Sequence, residues 1–153
     1  MLLRYGWAFP VTLLGTALAA LALRHGSVRL VDGVLEAHGP WLQRVLSSCP
    51  PLKGGVAAIT LGHIVLGQDE ATLALTRAHE RVHVRQYERW GVFFLPAYLV
   101  ASLAATVCGG HYYFDNVFER AAYNASAHRC GSAAYTGPSR GTRHGASDRT
   151  LGE

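Results

Sequence analysis

The first pattern along the chain is an uncharged run from Gly6 to Leu23 (GWAFPVTLLGTALAALAL), flanked by Arg4 and Arg24. No face of it is polar, which argues against a buried soluble helix, and its 18 residues reach across most of a bilayer. It predicts a transmembrane anchor. A cleaved signal peptide competes, with small residues near Ala19 and Ala20, but signal cores usually span ~7–15 residues. The period then changes. Val28, Leu30 and Val34 mark two short strands around Asp32-Gly33, a tight hairpin signature. Pro40 to Leu46 suits one short helix, and Ser47 to Gly55, with Pro50, Pro51, Gly54 and Gly55, reads as loop. Val56 to Leu66 is β-branched and apolar but interrupted at Gly62-His63, which predicts a bent strand or a hairpin.

Asp69 to Trp90 has the strongest helical pattern, with Asp69 as N-cap, Glu70 in the first turn and Gly91 after the end. A second uncharged run, Val92 to Cys108, ends at Gly109-Gly110, and Asp115 or Asn116 is expected to cap a further helix through about Ala127. From Gly131 onward Gly, Ser, Thr and Arg dominate, the composition of a disordered tail.

Composition narrows the class. The 153 residues suit one compact domain, and only 16% are charged while half are apolar, which points toward a mixed soluble and membrane-bound chain. The net charge of +4 comes without any nucleic-acid motif, so anionic lipid is the better partner than nucleic acid. Cys49, Cys108 and Cys130 are odd in number and widely spaced, which supports neither a disulfide framework nor a thiolate zinc site.

The chemistry lies at His79-Glu80-Arg81-Val82-His83. Two imidazoles four positions apart on a helix stand one above the other and are able to share a tetrahedral ion. Glu80 is then placed as a general base for a water that zinc makes acidic. A downstream carboxylate, Glu119 in the first turn of the last helix, completes a three-ligand set with one position open. His111 and Asp115 are rival third ligands, the first in a Gly-rich turn and the second better explained as a cap; His63 is read as a strand histidine outside the site. Tyr113, Tyr123 and His128 are the candidates for stabilising a transition state.

These residues resemble the gluzincin class of zinc metallopeptidases, in which a His-Glu-x-x-His helix is joined by a Glu from a later helix, often with Ala three residues on. Glu119 and Ala122 repeat that spacing, and the likeness covers Asp69 to Ala122. It implies zinc ligands at His79, His83 and Glu119 and a general base at Glu80. The strings HERVHVRQYERWG, FLPAY and DNVFERAAY are also similar to small uncharacterised bacterial membrane proteins with this motif.

Two further patterns bear on placement. Arg77, Arg81, Arg85 and Arg89 recur every four residues on the metal-bearing helix, a solvated face or a contact with lipid phosphates. A full crossing by Val92 to Cys108 would put Glu119 on the opposite side from His83. The stretch is therefore expected to be buried or interfacial, with Pro96 shortening its regular part to about 12 residues, and to return the chain toward the site.

The expected fold is α+β, a zincin-like core with a small strand layer and three helices, preceded by an N-terminal transmembrane helix. Residues 1–25 form the anchor or uncleaved signal, 26–130 the metal-binding domain and 131–153 the tail. The expected function is zinc-dependent hydrolysis of peptide bonds at the membrane; the alternative is a non-catalytic membrane-bound zinc-binding or scaffold protein. The expected partners are the lipid bilayer and a peptide or protein substrate. The location is the bacterial inner membrane with the site domain cytoplasmic, since most Arg residues follow the anchor and free thiols suit a reducing compartment.

Overall fold

The computed structural model describes residues 2–23, 25–49 and 55–130, with side chains for residues 7–23, 25–49 and 55–127. The expected tail, the centre of the expected Ser47 to Gly55 loop, Arg24 and the His128 side chain lie outside the described residues. The elements are α1 (Leu2–Ala22), β1 (Ser27–Val31), β2 (Val34–His38), α2 (Pro40–Ser48), β3 (Ala58–Leu61), β4 (Ile64–Gly67), α3 (Glu70–Trp90), a 3-10 turn (Gly91–Phe93), α4 (Phe94–Val107) and α5 (Val117–Cys130). The fold is mixed α+β.

The strands form one sheet in the order β1-β2-β4-β3, antiparallel at β1–β2 and β3–β4 and parallel at β2–β4. Asp32 and Gly33 both take positive φ, 46° and 79°, as the two-residue hairpin turn expected there requires. The second interrupted run also resolves into a hairpin, turning at Gly62-His63.

Alternation along the strands sends their side chains into two clusters, one on each face of the sheet, and a third, Ala8, Tyr87 and Phe94, joins α1, α3 and α4. Ala37, Leu61, Ile64 and Leu66 pack with Ala19 and Ala22 of α1 and with Leu42 of α2. Val34, Ala58 and Val65 pack with Leu73 and Val84 of α3. The sheet is covered on both faces, so every residue of β4 is buried and its sequence is continuously apolar rather than alternating. Gly15 lets α1 lie this close: a Cβ there would stand 2.8 Å from the Cβ of Ile64.

Contrary to the expectation of an anchor separate from the domain, α1 forms one layer of the core on its inner side, while Phe9, Leu13, Leu14 and Leu21 remain exposed on its outer side. By length and composition one helical stretch is able to cross a membrane, Glu70–Val107, and the apolar part of α1, Trp7–Ala22, is shorter.

Two expectations for the second apolar run need correction. It is not buried, since Phe94 is the buried residue of α4 while Leu95, Leu99, Val100, Leu103 and Val107 are exposed. Nor does Pro96 shorten it: α4 has 14 residues, and Pro96 falls in the first turn, where a missing N–H costs no helical hydrogen bond. The expected return of the chain does occur. Gly91 takes φ 56° where α3 ends, and a Cβ there would collide with the indole of Trp7.

Candidate metal centre

α3 begins where expected, with Asp69 Oδ1 accepting the Thr72 N–H at 2.7 Å. Its position on the sheet is fixed by Leu73 and Val84 and by an ion pair to the neighbouring strand. Arg77 donates to both oxygens of Glu36 at 2.8 and 3.0 Å, and Arg81 donates to the Val31 carbonyl. Half of the arginine stripe is therefore spent on holding α3 to β1 and β2 rather than facing water or lipid; Arg85 and Arg89 are exposed.

On the next face of α3, His79 and His83 stand one turn apart with Nε2 atoms 3.0 Å from each other. Glu119 reaches them from α5, its Oε2 3.1 Å from His79 Nε2 and its Oε1 3.4 Å from His83 Nε2. The three donors form a group able to hold a metal ion. The sequence reading placed all three together, and the structure brings them together.

Asn116 explains why Glu119 arrives there. Its Oδ1 accepts the Phe118 N–H and caps α5, while its Nδ2 donates to the Tyr98 carbonyl and to Ser102 Oγ on α4. The α5 cap is thereby tied to α4, with Glu119 in the first turn of α5. Ala122, one turn further and fully buried, keeps the same face of α5 small where it meets α3. The cap is Asn116 and not Asp115, whose Oδ2 instead accepts the His111 N–H at 2.7 Å across the loop before α5.

The surroundings of the three donors are specific. Gln86 donates from Nε2 to the Phe118 carbonyl, which only accepts, so its Oε1 faces His83 Nδ1 at 2.8 Å. Nδ1 is then a donor to Gln86, which leaves Nε2 to donate to Glu119 in the protonated ring or to offer its lone pair to a cation in the neutral one. Tyr98 donates its hydroxyl to Glu119 Oε1 at 2.8 Å. The Tyr123 ring packs on His79 with centroids 4.5 Å apart. Burial raises the Glu119 pKa, but hydrogen bonds and charge from His79 and His83 outweigh it and hold the carboxyl at about 2. Glu119 is thus an anion at neutral pH. Burial, with the Glu119 charge behind it, pushes the Tyr113 phenol well above its ordinary range, so it stays a donor.

Glu80 is 5% exposed, and its Oε2 accepts the Thr60 hydroxyl of β3 at 2.6 Å. It lines, with His79, His83 and Glu119, a cavity of about 330 Å³ between β3, α3 and α4. Tyr113 lines it too. His111 does not join the ligands: its Nδ1 accepts the N–H groups of Tyr113 and Phe114. His63 lies by Thr12 and Glu88, apart from the group. Sequence reasoning missed Gln86, Tyr98 and Thr60. Only Gln86 had a readable signal, its position three residues after His83 on a helix.

No family model matches the chain, and no curated protein or solved structure matches it significantly.

Proposed function

We propose that this chain is a membrane-associated zinc peptidase with a zincin-like core, in which His79, His83 and Glu119 hold the metal and Glu80 is the general base. The observation that carries this reading is the convergence of three donors beside a buried glutamate at one cavity wall. Two imidazoles and a carboxylate suit zinc, and a tetrahedral ion roughly 2.0–2.1 Å from each donor spaces them about 3.3 Å apart. Here the two Nε2 atoms are 3.0 Å apart, Glu119 meets each ring with a different oxygen, at 3.1 and 3.4 Å, and with one donor atom per residue all three lie within 4.8 Å of one another. The buried Glu119 Oε2 has a ring nitrogen of His79 beside it at 3.1 Å, and a cation between them would satisfy both.

Three ligands leave a position open, which favours catalysis over a closed structural site. His63 and His111, either of which as a fourth ligand would favour the scaffold alternative, lie outside the group. When bound, zinc supplies Lewis acidity to a water and to the scissile carbonyl. The chain does the rest. Glu80 takes the proton of the attacking water and delivers it to the leaving amine, with Thr60 holding one carboxylate oxygen and leaving the other for that exchange. Tyr113 lines the cavity and is the phenol donor available to a carbonyl oxygen that gains charge, since the Tyr98 hydroxyl is given to Glu119. β3 is an edge strand, suited to aligning an extended peptide by backbone pairing.

Metal analysis of the purified chain should find about one zinc per molecule, and His83→Ala should lose it. Equal zinc in both proteins rejects the centre. Glu80→Gln should retain zinc and slow metal-dependent peptide hydrolysis by about 10²–10⁴-fold. An unchanged rate rejects the mechanism, and bound zinc with no hydrolysis in the wild type assigns the scaffold role instead.

A further inference from the structure

The walls of the cavity say what fits in it. β3 and the preceding Val56 line one side and Phe94, Leu95 and Leu99 of α4 also line it, and charge is confined to the metal group and Glu80. β3 carries none of the usual protections of an edge: its sequence AITL has no charge and no proline, and Ile59 is 40% exposed. At the far wall the Tyr112 hydroxyl is buried with no hydrogen-bond partner among the described residues. α4 is apolar on both sides. Leu95 and Leu99 line the cavity, Val100, Leu103 and Val107 are exposed, and no charge occurs between Val92 and Phe114.

We propose that the cavity binds an extended, apolar stretch of a membrane-inserted polypeptide, which reaches it from the lipid side between β3 and α4. This rests on the peptidase and membrane reading above and names its substrate class. Aliphatic or aromatic side chains fill the space lined by Val56, Ala58, Leu95 and Leu99, and the backbone pairs with β3 and satisfies Tyr112. A lipid acyl chain would match the walls but leave the strand edge and that hydroxyl unpaired, which is why a polypeptide is the better occupant. A segment already in the bilayer meets α4 without crossing water.

The test is photo-crosslinking with the zinc-loaded full chain carrying Glu80→Gln, reconstituted in phosphatidylcholine–phosphatidylglycerol vesicles. The probe is a synthetic peptide with a Leu-rich membrane anchor followed by a Val/Leu/Phe stretch bearing a photoreactive residue. Its control has Ser and Asn in that stretch. Labelling should fall on β3 and α4 and be at least about tenfold stronger for the apolar peptide, the value of one buried aliphatic side chain. Leu95→Ser, on the cavity side of α4, should weaken it and Leu103→Ser, on the outer side, should not. Equal labelling by both peptides, labelling confined to the outer sides of α1 and α4, or a photoreactive fatty acid that the peptide does not displace would each overturn the proposal. Crosslinking needs no turnover, so selective labelling by a chain that hydrolyses nothing would reject the peptidase reading alone.

Discussion

At the scale of single residues the ligand set depends on a side chain that touches no substrate. Gln86 joins His83 on α3 to the backbone at Phe118 on α5, next to Glu119, so one amide fixes both the ring of one ligand and the helix of another. Such partners typically account for 10–100-fold in metal affinity. Gln86→Leu should therefore weaken zinc binding by about that factor in a competitive chelator titration, with thermal stability of the metal-free protein nearly unchanged. An unaltered affinity would show that His83 needs no such support. The grouping of the three candidate donors was legible because helical spacing alone puts His79 over His83, and because few carboxylates follow at a helix start. Tyr98 and Thr60 were not legible: each meets the site through tertiary packing, across 21 residues to Glu119 and 20 to Glu80, and no local pattern encodes that.

Among elements, the attachment of α3 to the sheet sets the orientation of the whole centre, and it runs through a buried carboxylate. Glu36 is 2% exposed; burial raises its pKa, but hydrogen bonds and charge from Arg77 and then Arg29 leave it below the usual carboxylate range. A depressed folded pKa means that the unfolded chain binds the proton more readily. The stabilisation is thus complete above the unfolded value of about 4.3 and is lost as pH falls through the lower folded value. Glu36→Gln should destabilise the protein by roughly 1–3 kcal/mol at neutral pH, since Arg77 and Arg29 lose their counter-charge, and should remove part of the acid-induced loss. Denaturation at a series of pH values checks this, and parallel curves for the two proteins would refute it. The stripe of arginines suggested a solvated face because a helix drawn alone has no partners. Glu36 sits in a strand whose register was not readable, and only that register aims it at Arg77. Element types, by contrast, followed from local signals: Asp32-Gly33 for the hairpin, Asp69 and Gly91 for the limits of α3.

At the scale of the molecule, two apolar faces remain uncovered, Phe9, Leu13, Leu14 and Leu21 on α1 and Leu99, Val100, Leu103 and Val107 on α4. Exposed apolar surface on this scale marks a lipid or protein contact. Trp7 and Trp90, both exposed, lie where α1 and α3 meet the 3-10 turn, the Trp7 ring 5.8 Å from that of Phe93. Tryptophan suits the boundary between headgroups and hydrocarbon, and exposed Arg85 and Arg89 on the last turns of α3 suit anionic headgroups beside it. The metal group, on the inner face of the same helix, then lies close to the membrane surface. The chain should accordingly stay in the membrane pellet after carbonate washing. Val100→Asn with Leu103→Asn should shift part of it to the soluble fraction while leaving zinc content unchanged, because both side chains face away from the cavity. Release of the wild type by the wash would remove the membrane reading. For the side of the membrane, Arg4 before α1 nearly balances Arg24 and Arg29 after it, so the expectation of a cytoplasmic site domain rests on the excess of arginine further along the chain. A C-terminal tag should then resist protease added to spheroplasts. Digestion from outside would place the centre on the other face and make its substrate an extracytoplasmic chain.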